Sequence, residues 1–363
     1  VTLAQMYREF RPDGHVLGGA MEYLSKGFAE KGWPRLGKAL AVMFAMFCVG
    51  ASLGGGNAFQ TSQALGAVQN IAPFFRDYPW VFGVFMAGAV ALVILGGIRS
   101  IARAAEKIVP TMVFIYLSAC LYIIFTHLGD LPHVLARIVT EAFAPKAVAG
   151  GMIGVMVVGF QRAAFSSEAG IGSAAIAHSA ATVKYPIRQG FVALYEPFID
   201  TIVICTMTAL VIQITGVWED PANAALVEAR KGAALTAVAF GSVLSWFPYV
   251  LSVSVILFAY STMISWSYYG ERCWTYLFGE RWSKYYRVGF VMVVVLASLV
   301  TAKNILDFSD LLLLSMAFPN FIGLYALHGK VLAALREYTA KLKAGEFEEE
   351  ARLYARMRAG EAG

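Results

Sequence analysis

The chain has 363 residues, 58% of them hydrophobic and only 15% charged, with 29 Lys and Arg against 24 Asp and Glu. Soluble domains carry about 25% charged residues, so this composition excludes a water-soluble globule, and the net charge of +5 gives no basis for nucleic-acid binding. Cys48, Cys120, Cys205 and Cys273 are scattered, match neither zinc-ligand spacing nor a disulfide framework, and read as small apolar packing residues.

The chain opens at Val1 in what reads as the tail of a helix, with no cleavable signal segment, so an N-terminal portion is expected to precede it. Hydropathy then predicts eight membrane-spanning helices, since crossing the hydrocarbon takes about 20 apolar residues. They run Leu36–Val68, Val81–Ile98, Ile108–His127, Val148–Ala181, Gln189–Ile214, Pro248–Tyr269, Val288–Thr301 and Phe308–Leu327. A shorter apolar piece, Ala233–Trp246, reads as a re-entrant or surface helix. The fold class is an all-α polytopic membrane protein, with a transmembrane domain over residues 1–330. Residues 331–363 form a polar tail, helical over Ala340–Arg358, that reads as a solvated face with a looser option of contact with anionic lipid.

Three stretches depart from plain lipid-facing composition, and polar groups inside a span are functional hypotheses by default. In the first span, three glycines (Gly54–Gly56) precede Asn57, Gln60 and Gln63, a run that suits close helix packing or a lined cavity. The fourth span is too long for one straight crossing at 1.5 Å per residue. Its Gly/Ser-rich middle, between Gly159 and His178, predicts a broken helix, with Arg162 and Glu168 able to neutralise each other across the break. In the sixth span, Phe258, Thr262, Ser265, Trp266 and Tyr269 share one helical stripe, whose hydroxyls suit a hard cation and whose Trp266 could wall a small substrate. Glu196 and Asp200, one turn apart in the fifth span, read as solvated or structural carboxylates.

Lys and Arg fall unevenly across the connections, 22 on one side and 6 on the other, with Arg162 inside a span. By the positive-inside rule both ends of the chain are cytoplasmic in a plasma (cell inner) membrane. No zinc-protease, nucleophile-elbow or phosphate-loop signature is present, so the chain does not read as an enzyme and calls for no cofactor.

Gly56–Gln60, Phe165–Ala174, Phe198–Thr206 and Ser261–Arg272 resemble the alanine/glycine:cation symporter family, and the likeness covers essentially the whole chain. The resemblance implies the leucine-transporter architecture of two inverted five-helix repeats after one extra helix. The eight spans would then be the last eight of eleven. It implies sodium-coupled symport of alanine or glycine, with the bilayer as the surroundings and Na⁺ as coupling ion. Carried over by position, Gln60, Thr262, Trp266, Tyr269, Phe165 and Gly170 resemble substrate-pocket residues, and Ser261 and Thr262 resemble sodium ligands forming a partial site. A proton-coupled carrier of the same fold, and more remotely an ion channel, are the alternatives.

Overall fold

The computed structural model describes residues 1–10, 16–143, 145–229, 231–300 and 302–347. A first short helix, α1 (Thr2–Tyr7), leads through a two-residue antiparallel ribbon, Glu9–Phe10 against Val16–Leu17, into α2 (Ala20–Glu30). Pro34, which needs no backbone donor at a helix start, opens α3 (Pro34–Leu53). The helix then widens to a π-helical segment over Gly54–Phe59 and continues as α4 (Gln60–Ile71). A turn of helix, α5 (Phe74–Asp77), precedes α6 (Pro79–Ile94).

The chain reverses over Leu95 and Gly96 alone and enters α7 (Gly97–Thr126). Arg99, Arg103 and Lys107, expected in a loop, therefore lie in the first turns of α7. Hydropathy finds the apolar part of a helix, whereas the strong helix formers Ala, Arg, Glu and Lys extend it into polar surroundings. An amphipathic α8 (Leu131–Ala142) is followed by α9 (Pro145–Ser167), an irregular stretch, and α10 (Ala174–Ser179). The predicted break is thus present, at 168–173.

The next crossing is built from α11 (Pro186–Ala193), the turn α12 (Tyr195–Pro197), a second π-helical segment (Phe198–Cys205) and α13 (Thr206–Thr215). A short α14 (Ala224–Glu228) and the 12-residue α15 (Gly232–Val243) come before the long α16 (Phe247–Phe278). The last two helices are α17 (Ser283–Ala297) and α18 (Ala302–Lys343). Among the described residues, five helical runs are long and apolar enough to cross a membrane: Pro34–Gln69, Gly97–Thr126, Pro186–Thr215, Phe247–Phe278 and Ile305–Lys343. The other three predicted spans coincide with the 16 residues of α6, the interrupted α9 and α10, and the 15 residues of α17.

Two apolar clusters hold these helices together, and both include α16. One gathers Phe28, Phe44, Met263, Trp266 and Phe290, and the other Tyr116, Ile123, Val211, Phe240 and Leu251. The tail makes aromatic contact with the bundle, but none of its described residues, 331–347, is buried. Its helix ends at Lys343, Gly345 takes a φ of +76°, and Phe347 packs on Tyr185 and Tyr338 at ring separations of 5.2 and 4.8 Å. Arg188 lies over the Phe347 ring at 4.6 Å, a cation–π contact that helps hold the tail. The rest of the predicted tail helix, residues 348–358, lies outside the described residues.

Candidate functional site

Successive helical residues project in different directions around the axis, so a run of glycines lets several neighbours approach one point. Gly54 faces α18, where an added Cβ would sit 2.8 Å from the Ser309 hydroxyl. Gly55 faces α9, 3.5 Å from the Phe165 ring by the same measure. Gly56 faces α16, where a Cβ would fall on the Cβ and Cγ of Trp266 and 2.9 Å from Cδ2. The π-helical widening frees the Gly55 carbonyl to accept a hydrogen bond from Gln60 Nε2 at 3.1 Å. Phe59, the last residue of the segment, meets Phe165 edge-on with ring centres 5.5 Å apart.

The second departure from helix lies against the first. Glu168, Gly170 and Gly172 take φ values of +54°, +83° and +101°. Two glycines make this cheap, but a left-handed glutamate costs of order 1–3 kcal/mol and persists only where surroundings hold it. Ser173 Oγ donates to Glu168 Oε2 at 2.5 Å, and the Trp266 indole lies beside the same carboxylate. The carbonyl of Gly170 accepts from Asn320 Nδ2 on α18 at 2.7 Å, while the buried Tyr23 hydroxyl of α2 donates to Asn320 Oδ1. One chain of contacts therefore ties α2, α18 and the exposed backbone of the break.

Two cavities share residues with this centre. A 280 Å³ pocket is lined by Tyr23, Glu168, Gly170, Glu196 and Asn320. A separate cleft of 1240 Å³ is lined by Phe59, Gln63, Gln161, Arg162 and Asp310. In the chain, Phe165 stands between Arg162, which lines the cleft, and Glu168, which lines the pocket. The 5.3 Å contact of the Arg162 guanidinium over its ring ties it to the larger cleft.

Several expectations about the polar residues are corrected. Arg162 does not neutralise Glu168; it pairs with Asp310 of α18. Six helical residues rotate a side chain well away from its starting face, and the break then turns Glu168 toward Ser173 and Trp266. Asn57, Gln60 and Gln63 do not share one lined face. Asn57 is fully buried and donates to the Phe290 carbonyl of α17 at 2.7 Å, Gln60 bonds its own helix, and only Gln63 reaches the cleft. Asp200 accepts from Ser166 at 2.6 Å, joining the second π segment to the end of α9. Glu196 lies 3.6 Å from His178, which in turn contacts Gln189 at 2.6 Å.

Of the residues singled out for the site, Gln60, Phe165, Trp266 and Tyr269 are brought around Gly55, Gly56 and Glu168, with Tyr269 5.4 Å from Trp266 between ring centres. Gly170 lies in the break with its carbonyl turned to Asn320. Thr262 is one turn before Trp266 on the same helix. Ser261 faces α7, its hydroxyl donating to the Phe258 carbonyl at 2.9 Å and contacting Met112 Sδ at 3.7 Å. Two hydroxyls fall short of a complete oxygen shell for a hard cation, and that of Ser261 is already bonded to its own helix. Sequence reasoning passed over Asp310, Asn320 and Tyr23. The signal for Asp310 was available, because a lone carboxylate in a span and a lone Arg162 in another each need a partner.

A helical bundle with a broken helix whose break lines a cavity is a framework that membrane transporters use. The chain belongs to the sodium:alanine symporter family, whose model matches residues 1–352. It is 38% identical over 338 residues to the sodium/alanine symporter AgcS of Methanococcus maripaludis, covering 93% of this chain and 72% of that protein. It is 32% identical to the probable sodium/glutamine symporter GlnT of Bacillus subtilis, covering 95% and 69%. It is 31% identical to the putative sodium/proton-dependent alanine carrier protein YrbD of the same organism, covering 95% and 71%.

Proposed function

We propose that the chain carries a small neutral amino acid, alanine or glycine, into the cell together with Na⁺, by alternating access within an inverted-repeat fold of the leucine-transporter kind. The observation that carries this reading is the pairing of the 168–173 break with the widened Gly54–Phe59 segment across Trp266, the break lining one cavity and Phe59 another. Backbone freed from helix offers N–H and C=O groups where a zwitterion needs both. The amino acid's polar end meets that backbone and Gln60; its short side chain meets Trp266, Phe165 and Tyr269, a wall too close for bulky groups. The hydroxyls of Ser261 and Thr262 supply part of the sodium shell.

Alternating access then needs only that the two cavities open in turn. Phe165, with Phe59, stands on the side of the larger cleft; the Asn320-held backbone of Gly170 stands on the other. The Lys/Arg asymmetry supports a reading in which both ends of the chain, and with them the smaller pocket lined by Val1 and Thr2, face the cytoplasm. Substrate released there leaves past Glu168 and Tyr23.

The test is uptake of radiolabelled alanine by reconstituted protein, with an inward Na⁺ gradient and with choline in its place at fixed pH. Accumulation that needs Na⁺ supports the reading, and Trp266→Ala should then raise KM for alanine or admit larger side chains. A second reading, proton-coupled transport, is favoured by Glu168, a carboxylate in the break with no cationic partner among the described residues. Uptake that survives choline replacement and follows a pH gradient would select it. Currents far above carrier turnover without accumulation would instead point to a channel.

A further inference from the structure

A groove of 470 Å³ lies on the outside of the bundle between α6 and α17, well away from the central site. Its floor is apolar, with Leu95, Val288 and Met292 exposed at 68%, 51% and 58%. Its rim is net basic, carrying Arg281, Lys284 and Arg287 beside the single carboxylate Glu280. We infer that this groove binds an anionic phospholipid, its phosphate held by Arg281 and Lys284 and one acyl chain lying along α6 and α17.

Three observations carry this. Both helices have apolar faces turned outward, Leu92 being 81% exposed, and in a membrane protein such faces meet lipid tails. Lys284 and Met292 are eight residues apart on one helix, about 12 Å at 1.5 Å per residue, so basic rim and apolar floor are spaced like a headgroup and its upper chain. Trp282 and Tyr285 flank the rim, with ring centres 5.1 Å apart and both exposed, and such aromatics mark the headgroup level of a bilayer.

The charges around the rim favour a ligand phosphate over an internal partner. Arg287 is committed to Glu271, with contacts of 2.6 and 2.9 Å, and Glu280 lies 3.6 Å from Arg272. Among the described residues neither Arg281 nor Lys284 has a carboxylate partner; Arg281 lies over the Trp282 ring at 5.6 Å. Two uncommitted cations above an exposed apolar groove complement one phosphodiester on two chains. Basic pockets between spanning helices at the cytoplasmic side bind such headgroups. The leaflet rests on the orientation proposed above. The binding itself does not, and its readout below involves neither substrate nor Na⁺, so failure of transport and failure of this site are separable.

The full chain, in detergent micelles titrated with phosphatidylglycerol or phosphatidylcholine of matched chains, is assayed for bound lipid by native mass spectrometry and for the shift in melting midpoint. The wild type should bind phosphatidylglycerol about 25-fold more tightly, about fivefold for each of the two rim cations. R281Q/K284Q should lose about fivefold of that preference per cation removed, leaving the two lipids equivalent. R137Q, in α8 and outside the groove, should keep the preference and so controls for general loss of positive charge. Equal binding of both lipids by the wild type, a preference that survives in the double variant, or full competition by inorganic phosphate would each overturn the inference. A melting shift confined to phosphatidylglycerol and abolished only by the rim variant would sustain it.

Discussion

Substituting Gly56 and Gly66 by alanine should have opposite effects, although both lie in the same helical run. Alanine gains up to about 1 kcal/mol over glycine in a helix interior. At Gly66 nothing lies within 4 Å of the added Cβ, so that gain is retained and Gly66→Ala should stabilise. At Gly56 the Cβ lands on Trp266 Cβ and Cγ; the α16 backbone fixes the Trp266 Cβ, and no side-chain rotation can move it aside. Overpacking a filled interior costs about 1–3 kcal/mol, which outweighs the propensity gain and leaves a net loss of up to about 2 kcal/mol. The assay is the melting midpoint of detergent-solubilised protein, followed by size-exclusion fluorescence. Because Trp266 Cβ is itself a clashing atom, Trp266→Ala should not rescue Gly56→Ala, whereas Trp266→Gly should relieve it in part. If Gly56→Ala melted at or above the wild type, the three-way approach of helices at the glycine run would be wrong.

The Arg162–Asp310 pair should show coupling in a double-mutant cycle. Asp310→Asn strands the guanidinium and should cost about 1–3 kcal/mol, less than the 3–5 of a fully buried pair because the Arg162 side chain is 42% exposed. Adding Arg162→Gln should recover part of that in the same melting assay, and strict additivity would refute the pairing. Asn320→Ala leaves both the Tyr23 hydroxyl and the Gly170 carbonyl without their partner and should cost about 1–3 kcal/mol, whereas Tyr23→Phe removes a single bond and should cost about 1; the reverse order would count against the tie between α2 and the break. On the opposite face, hydrogen bonding to Arg137 holds the Glu219 carboxyl below its ordinary value of 4.5. A depressed carboxyl contributes stability that is present at neutral pH and fades as pH falls through its folded pKa. Protease resistance of α8 should therefore be lower in Glu219→Gln than in wild type at neutral pH, and the two should converge only well below pH 4.5, once the pH has fallen through the folded pKa; a difference that did not shrink with acidification would contradict the contact.

Much of this protein could be read locally. The composition, the apolar runs and the Gly/Ser-rich middle of the fourth span are properties of neighbouring residues, and they determine a polytopic helical bundle with one interrupted helix. The Gly-Gly-Gly run could likewise be read as a place of close approach, because only glycine leaves room for another backbone there. Which helices approach was not legible. Ser309, Phe165 and Trp266 come from three distant parts of the chain, and periodicity within a helix gives its face but not its neighbour.

Charge pairing shows the same division most plainly. Sequence proximity suggested Glu168 as partner of Arg162, while the fold supplies Asp310, 148 residues away. It also turns Asn57 from a cavity donor into a tie to α17, and packs Phe347 of the polar tail against Tyr185 and Tyr338. The sequence alone determined that buried polar groups would need partners, since an unpaired one is costly in a medium without water. Only the tertiary structure decided which partners those are, because the cost depends on who is within 3 Å and the chain's own order carries no measure of that distance.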